Sequence, residues 1–500
     1  MNAAWGQLAA LPEAPSQESL KERQDRWFRS FMARSANTAF GRAHGWSADQ
    51  TLASFRHATP LRTYEAHLPW MHRIRSGESD VLFPGRPIGY EFTGGSSGGS
   101  KCIPYSAEGL ADFQKVLRPW LGRTVRDFGL REGRAYVVTS PALRAEPGLP
   151  DGAYLGEDLG EALLAISALP RWIPSLQHIA SWHLATLHAL VRCEDLAFLS
   201  LWSPTLYLGF LDALRRDERE LDCALRAGID IEGHHLPPDL EALRRLQAYR
   251  VSGDTRALWP HLRLISAWED GASGPFAKAL KSHFPHTAFE GKGLLATEGV
   301  VTTPYVGGAP LLAADSALFE FLEPDGSAKW AHELSLGVTY EVVLTTASGL
   351  MRYRTGDAVR CEGHHGDVPR LRFLGRLGLT SDLVGEKLTE AFVAQCLHDL
   401  PGFRMLIPQT APRPRYLLVT DREVDAAQLA RLEHRLARNP QYAHAQRMGQ
   451  LGPLMTFALK EPLARFTARR LKEGARPGDL KVPALLRELD WADTFGMESF

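Results

Sequence analysis

The run Thr93-Gly94-Gly95-Ser96-Ser97-Gly98-Gly99-Ser100-Lys101 follows a strand-like segment, GRPIGYEF, and leads into CIPYS. Glycines let a backbone take conformations in which successive N–H groups point into one concavity, and such a concavity attracts phosphate oxygens. The hydroxyls of Thr93, Ser96 and Ser97 add donors, and Lys101 adds a mobile positive charge. The P-loop pattern GxxxxGK[ST] is absent, because neither a glycine nor a hydroxyl residue stands in the required place beside the lysine. A flexible linker is built from the same residues, although a linker is seldom framed by an apolar strand and by Lys-Cys-Ile-Pro-Tyr.

A chain of 500 residues exceeds what one hydrophobic core usually organises, so two or more domains are expected. The 57 basic and 58 acidic side chains leave a net charge of -1. A sequence-independent nucleic-acid binder would show a basic excess, so small molecules are the expected partners and no nucleic acid is. The five cysteines lie far apart, with no CxxC pair, which argues against a disulfide framework or a structural zinc site and suits a reduced cytoplasm. The N-terminus lacks the basic start and apolar core of a signal peptide. The greasiest stretch, LAFLSLWSPTLYLGFLDAL (196–214), is interrupted by Ser, Pro, Thr and Gly. It reads as a buried helix pair or pocket wall rather than a membrane span.

Apolar residues at Trp27, Phe28, Phe31 and Met32 recur at helical spacing, and PLRTYEAHLPWMHRIRSGE reads as a strand or turn followed by a helix. Residues 107–250 are mostly helical by periodicity, interleaved with strand-like runs such as AYVVTS and, further on, LRLISAW. This pattern suggests alternating β and α elements around a mixed sheet. After residue 290 short β-like runs dominate. From about Val384 a smaller α+β order follows: helix EAFVAQCLHDL, strand RYLLVTD, helix DAAQLARLEHRLARN, strand PLMTFALKE. The expected fold class is α/β, with a large domain at 1–383 containing mixed sheets and helices, and a small α+β lid at 384–500.

Four further segments carry candidate chemistry. In Leu295-Ala296-Thr297-Glu298-Gly299 a carboxylate at a strand end could hold Mg²⁺ against phosphate oxygens, and the Thr297 hydroxyl could reach a phosphate, although a lone Glu is more often simply solvated. In Gly349-Leu350-Met351-Arg352-Tyr353-Arg354-Thr355-Gly356-Asp357 the final acid could accept hydrogen bonds from a ribose diol, while Thr-Gly-Asp would equally serve as a β-turn. Gly375-Arg376 could add a ribose contact, and Gly385-Glu386-Lys387 a hinge or nucleotide contact. Lys481, in GDLKVP, could reach a phosphate from a lid loop, or be a solvated lysine. No GxSxG elbow and no HExxH helix is present. The pairs His234-His235 and His364-His365 read as loop or surface residues, since adjacent histidines rarely point the same way.

The order and spacing of these segments resemble the adenylate-forming enzymes, and within them the Gretchen Hagen family of acyl acid–amido synthetases. The stretches that carry the likeness are PLRTYEAHLPWMHRIRSGE, KCIPYS, LWSPTLYL, LWPHLRLISAW, ALFEFLEP, LSLGVTYEVVLTTASGLMRYRTGDAVR, VPRLRFLGR, GEKLTE and GDLKVP, from about Trp27 to Pro483. The resemblance implies a ligase that activates a carboxylic acid with ATP and Mg²⁺ as an acyl-adenylate and passes the acyl group to an amine, with an amino acid the expected acceptor. Thr93, Gly94, Gly95, Ser96, Ser97, Gly98 and Lys101 would form the phosphate loop. Thr297 and Glu298 would face the α-phosphate, with Glu298 on the metal. Tyr353, Asp357, Arg376 and Lys387 would complete the ATP site, Asp357 on the ribose, and Lys481 would stabilise charge during adenylation. The loop TGGSSGGSK departs from the plant Ser-Ser-Gly-Thr-Ser pattern, and GEKLTE lacks the Asp that commonly precedes the lysine. An acyl-CoA ligase using the same adenylate, or a nucleotide-binding homologue without turnover, are the alternative expectations.

Overall fold

In a computed structural model, residues 2–12, 18–92, 101–138, 149, 151–216, 219–377, 380–410, 413–448 and 450–497 are described. Thr93, Gly94, Gly95, Ser96, Ser97 and Gly98 lie outside the described residues. The chain divides into two compact units: residues 1–135, 144–167 and 292–373 form the first, and residues 136–143, 168–291 and 374–500 the second.

In the first unit a short helix, Ala3–Ala9, precedes the longer helix Leu20–Ser35. Ser19 caps it through the Glu22 N–H, and the Glu22 side chain returns the bond in a capping box. Trp27, Phe28, Phe31 and Met32 fall on one face and are buried, as their spacing predicts. They join Phe40, Trp46, Phe55, Leu350, Met351 and Tyr353 in one core cluster. The expected helix after Pro60 is present at Leu68–Arg75.

A seven-stranded sheet supplies the frame of this unit, in the order Thr302–Thr303, Leu311–Leu312, Val368–Arg376, Tyr353–His365, Thr339–Thr345, Leu318–Leu322, Ala328–Trp330. Its middle strands pair antiparallel. Phe319, Phe321, Tyr340, Val342, Leu344, Val359 and Cys361 are buried on one face at the two-residue period of a strand. Tyr353-Arg354-Thr355-Gly356-Asp357 therefore lies within a long strand, Tyr353–His365, rather than in a hairpin-closing turn. The positive φ of Gly356, 75°, sits inside that strand, close to a register shift against Glu341–Val343.

In the second unit strands Leu196–Ser200, Leu264–Ala267 and Ala288–Gly291 pair in parallel. Helices Ile179–Arg192, Pro204–Arg215, Leu240–Ser252 and Gly274–His283 accompany them. The apolar stretch 196–214 is a strand followed by a helix, and this corrects the expected helix pair. Leu196–Ser200 is apolar throughout because a parallel strand is covered on both faces, so its periodicity does not separate it from a buried helix. Ser203 then caps a helix with Pro204 in its first turn. No helix among the described residues is long and apolar enough to cross a membrane.

Near the C-terminus the expected elements are present as helix Glu390–Cys396, strand Arg415–Thr420, helix Ala426–Leu436 and strand Met455–Ala458, with strand Arg404–Gln409 in addition to the expected order. Strands Arg404–Gln409 and Arg415–Thr420 are antiparallel, and Met455–Ala458 joins Arg415–Thr420 in parallel. Among the described residues the five cysteines form no disulfide.

Candidate active site

Strands Gly89–Phe92 and Cys102–Tyr105 form an antiparallel hairpin in which Phe92 pairs with Cys102. Lys101 stands immediately before the second of these strands. The Tyr64 hydroxyl pins this point by donating to the Cys102 carbonyl (3.1 Å) and accepting from the Cys102 N–H (2.8 Å).

From there Lys101 Nζ donates to Tyr353 Oη at 2.9 Å, and Tyr353 Oη donates to Glu298 Oε1 at 3.3 Å. Lys101 Nζ lies 3.9 Å from the same Glu298 oxygen. Glu298 and Tyr353 are both buried, while the Lys101 side chain remains partly open to solvent. Thr297 is fixed beside it by its carbonyl, which accepts from Tyr105 Oη at 2.5 Å. Burial pushes the Tyr105 phenol far above its ordinary range, so it serves as a neutral donor. Lys101, Thr297, Glu298 and Tyr353, up to 252 positions apart in the sequence, thus converge. Asp357 is buried four residues along the strand that bears Tyr353, and its N–H donates to Thr355 Oγ1 at 3.0 Å.

That strand is held by a buried ionic brace that sequence reading did not single out. Arg352 adopts a left-handed φ of 45°, costly for a side chain of its size. Its guanidinium binds both Glu320 oxygens (2.8 and 2.9 Å) and donates to the carbonyls of Arg56 and Thr59. Arg56 completes the Glu320 site at 2.6 Å. Arg62 pairs with Tyr353 as a bridge, its N–H donating to the Arg352 carbonyl and its carbonyl accepting from the Arg354 N–H.

His67 closes the turn. Its Nδ1 contacts the Thr63 carbonyl at 2.9 Å, and its Nε2 accepts from the Met351 N–H at 3.0 Å, so the Nδ1-protonated neutral ring satisfies both bonds. Burial lowers its pKa to about 4 from 6.5. Because the folded-state pKa is depressed, the stability His67 provides is complete above about pH 6.5 and is lost as pH falls toward 4. A gap of this size is worth about 3 kcal/mol. Urea titrations at pH 7 and pH 4 are expected to show wild type losing more stability than His67→Asn by about that amount. Equal losses would mean that His67 titrates as it does in the unfolded chain.

The remaining candidates are in the second unit. The Lys387 side chain is exposed, on a backbone with φ 47° that follows the buried Glu386 carboxylate. Glu386 accepts from the Leu383 and Val384 N–H groups and from Tyr416 Oη. The Arg376 N–H donates to Glu390 Oε2 at 3.5 Å. Lys481 is exposed, with Nζ 4.1 Å from the centroid of the Trp268 ring, a close cation–π contact. Trp268 packs at 5.7 Å against Trp202, each just beyond the carboxyl end of a parallel strand.

Tyr64, Tyr105, His67, the Glu320–Arg352–Arg56 brace, Trp268 and Glu390 were missed by sequence reading. Each lies within or beside a stretch singled out above, but its role depends on partners up to 296 positions away.

The fold is that of the adenylate-forming enzymes. An acyl acid amido synthetase solved in complex with 2,4-DB, AtGH3.15, superposes over 99% of this chain and 95% of its own with a TM-score of 0.82 at 18% identity. A 2-hydroxyisobutyryl-CoA ligase in the postadenylation state superposes over 97% of this chain and 93% of its own, with a TM-score of 0.57 at 12% identity. The family model for the GH3 family N-terminal domain matches residues 16–289, and that for the GH3 family central domain matches residues 311–376. The chain belongs to the GH3 family. A probable indole-3-acetic acid-amido synthetase, GH3.4 of Oryza sativa subsp. japonica, is 26% identical over 76% of this chain and 70% of its own length. The jasmonoyl–L-amino acid synthetase JAR4 of Nicotiana attenuata is 23% identical over 73% and 71%.

Proposed function

We propose that this chain is an ATP-dependent acyl acid–amido synthetase that converts a carboxylic acid to its acyl-adenylate and then to an amide with an amine, most naturally an amino acid. The observation that carries the reading is the Lys101–Tyr353–Glu298 cluster, with Lys101 immediately after the Gly/Ser run of the sequence, in a chain of this family.

In the first half-reaction a carboxylate oxygen of the acid attacks the α-phosphorus of ATP, and pyrophosphate leaves. The loop residues Thr93, Gly94, Gly95, Ser96, Ser97 and Gly98, with Lys101, would bind the phosphates. Asp357 would accept from the ribose hydroxyls, with Arg376 and Lys387 as further nucleotide contacts. Lys481 would meet the charge that grows on the phosphate, and residues from 384 onward would act as the lid. Such chemistry rests on positioning and charge neutralisation. Among the described residues no cluster of three or more metal-ligating side chains is present. The single carboxylate of Glu298 suits Mg²⁺, which takes one or two carboxylates and fills its remaining positions with phosphate oxygens and water. When bound, Mg²⁺ would supply charge neutralisation at the phosphates.

In the second half-reaction the amine nitrogen attacks the activated carbonyl, AMP leaves, and the nitrogen gives its proton to solvent as the amide forms. Mass spectrometry of reactions supplied with ATP, Mg²⁺, a panel of carboxylic acids, the amino acids and coenzyme A tests the acceptor. Acyl–amino acid conjugates are expected. An acyl-CoA as sole product would replace this reading with that of an acyl-CoA ligase, and the absence of any acylated product would favour a nucleotide-binding homologue without turnover.

A further inference from the structure

Three of the segments assigned above to nucleotide chemistry, Gly375-Arg376, GEKLTE and GDLKVP, meet at one side chain that none of those assignments uses. Glu390 is the first residue of helix Glu390–Cys396, capped by Thr389. An acid at that position ordinarily faces water and gains from the helix dipole. Glu390 is instead 7% exposed, with its carboxylate turned onto the backbone of two other segments. One oxygen accepts from the Ala484 N–H at 3.3 Å and the other from the Arg376 N–H at 3.5 Å.

Both segments are built to stay there. Gly375, with φ 146°, presses onto the helix start so closely that a Cβ would lie 2.9 Å from Ala391 Cα. The segment after Lys481 joins strand Arg404–Gln409: the Leu406 N–H donates to the Ala484 carbonyl (2.8 Å), and the Leu486 N–H to the Leu406 carbonyl (2.9 Å). Lys481 stands three residues before Ala484. Burial pushes the Glu390 carboxyl above its ordinary range, while Ala484 N–H, Arg376 N–H and the charges of Arg376 and Lys481 pull it back. Two long backbone hydrogen bonds are thin satisfaction for a buried carboxylate. What compensates is the neighbouring positive charge.

We propose that Glu390 is a positioning residue for Lys481: its buried carboxylate ties the lysine-bearing loop to the Gly375-Arg376 turn and aligns the ammonium for adenylation. The proposal rests on the reading of Lys481 as the group that stabilises charge in that half-reaction. Glu390 itself touches no substrate. It acts through the backbone it holds and the field it provides.

The test is ATP–pyrophosphate exchange by the full-length enzyme at saturating acid, for wild type, Glu390→Gln, Lys481→Ala and the double variant. Glutamine still accepts a backbone hydrogen bond but carries no charge, so Glu390→Gln is expected to lower kcat about tenfold, the scale of one charge-assisted hydrogen bond. The KM for ATP is expected to stay within about twofold, since glutamine still accepts from the Arg376 N–H and the other proposed nucleotide contacts, Lys101, Glu298 and Asp357, are not among the hydrogen-bond partners of Glu390. In the Lys481→Ala background the same change is expected to lower kcat no further, because residues that act as one unit are not additive. Glu390→Asp keeps the charge but draws it back by one methylene, and is expected to fall between wild type and Glu390→Gln, giving a second measure if the glutamine variant folds poorly. Wild-type kcat in Glu390→Gln, or an equal loss with and without Lys481, would overturn the proposal while leaving Lys481 in its role. Unchanged exchange in Lys481→Ala would instead remove the reading on which the proposal stands.

Discussion

Lys481→Ala is expected to lower ATP–pyrophosphate exchange by about a hundred- to a thousandfold, the range measured when one preorganised stabiliser of transition-state charge is removed. ATP affinity is expected to change little, because the residues proposed to hold the nucleotide, Lys101, Glu298 and Asp357 among them, remain. Stability is expected to fall only modestly, since Arg376 still opposes the burial of the Glu390 carboxylate when the Lys481 charge is gone. The Lys481 side chain is exposed, and its segment is anchored downstream by the Leu406–Leu485 bridge. One contact given up is that with Trp268, and an exposed cation–π pair is worth only about 0.5–1 kcal/mol. Exchange kinetics and calorimetric ATP titration of the same preparation separate the two effects. A large loss of ATP affinity with an unchanged turnover would assign Lys481 to ground-state binding instead.

Glu320→Ala is the second variant with a large expected effect, this time on stability. Glu320 is 1% exposed and carries two arginines, Arg352 through both carboxylate oxygens and Arg56 at 2.6 Å. Removing the carboxylate leaves the Arg352 guanidinium buried without its counter-charge, which typically costs about 3–5 kcal/mol. The loss would not remain local. Arg352 holds a left-handed conformation only because its environment over-determines it, and the next residue, Tyr353, bridges Lys101 to Glu298. The denaturation midpoint is therefore expected to fall together with exchange activity. A midpoint unchanged by Glu320→Ala would show that the brace adds nothing to stability.

Legibility in the sequence followed the range of the interactions. Helix Leu20–Ser35 was readable because Trp27, Phe28, Phe31 and Met32 express its period within a few residues. The stretch 196–214 was not, since a strand buried on both faces has no alternation to reveal it. The candidate residues could be picked out by motif: Lys101, Glu298 and Tyr353 do converge. The groups that position them could not be found that way. Tyr64, Tyr105, His67 and Glu320 act through hydrogen bonds to residues far along the chain, and nothing in their local sequence distinguishes a tyrosine that pins a loop from one that fills a core. Glu390 is the clearest example: it stands inside GEKLTE, yet its importance lies in backbone N–H groups 14 residues before it and 94 after it.

The central claim, that this protein activates a carboxylic acid as its adenylate, is tested most directly by ATP–pyrophosphate exchange across a panel of carboxylic acids with no amine present. Exchange that depends on the acid and on Mg²⁺, and that is suppressed in Lys481→Ala, is the predicted result. Binding of ATP without exchange for every acid in the panel would contradict it.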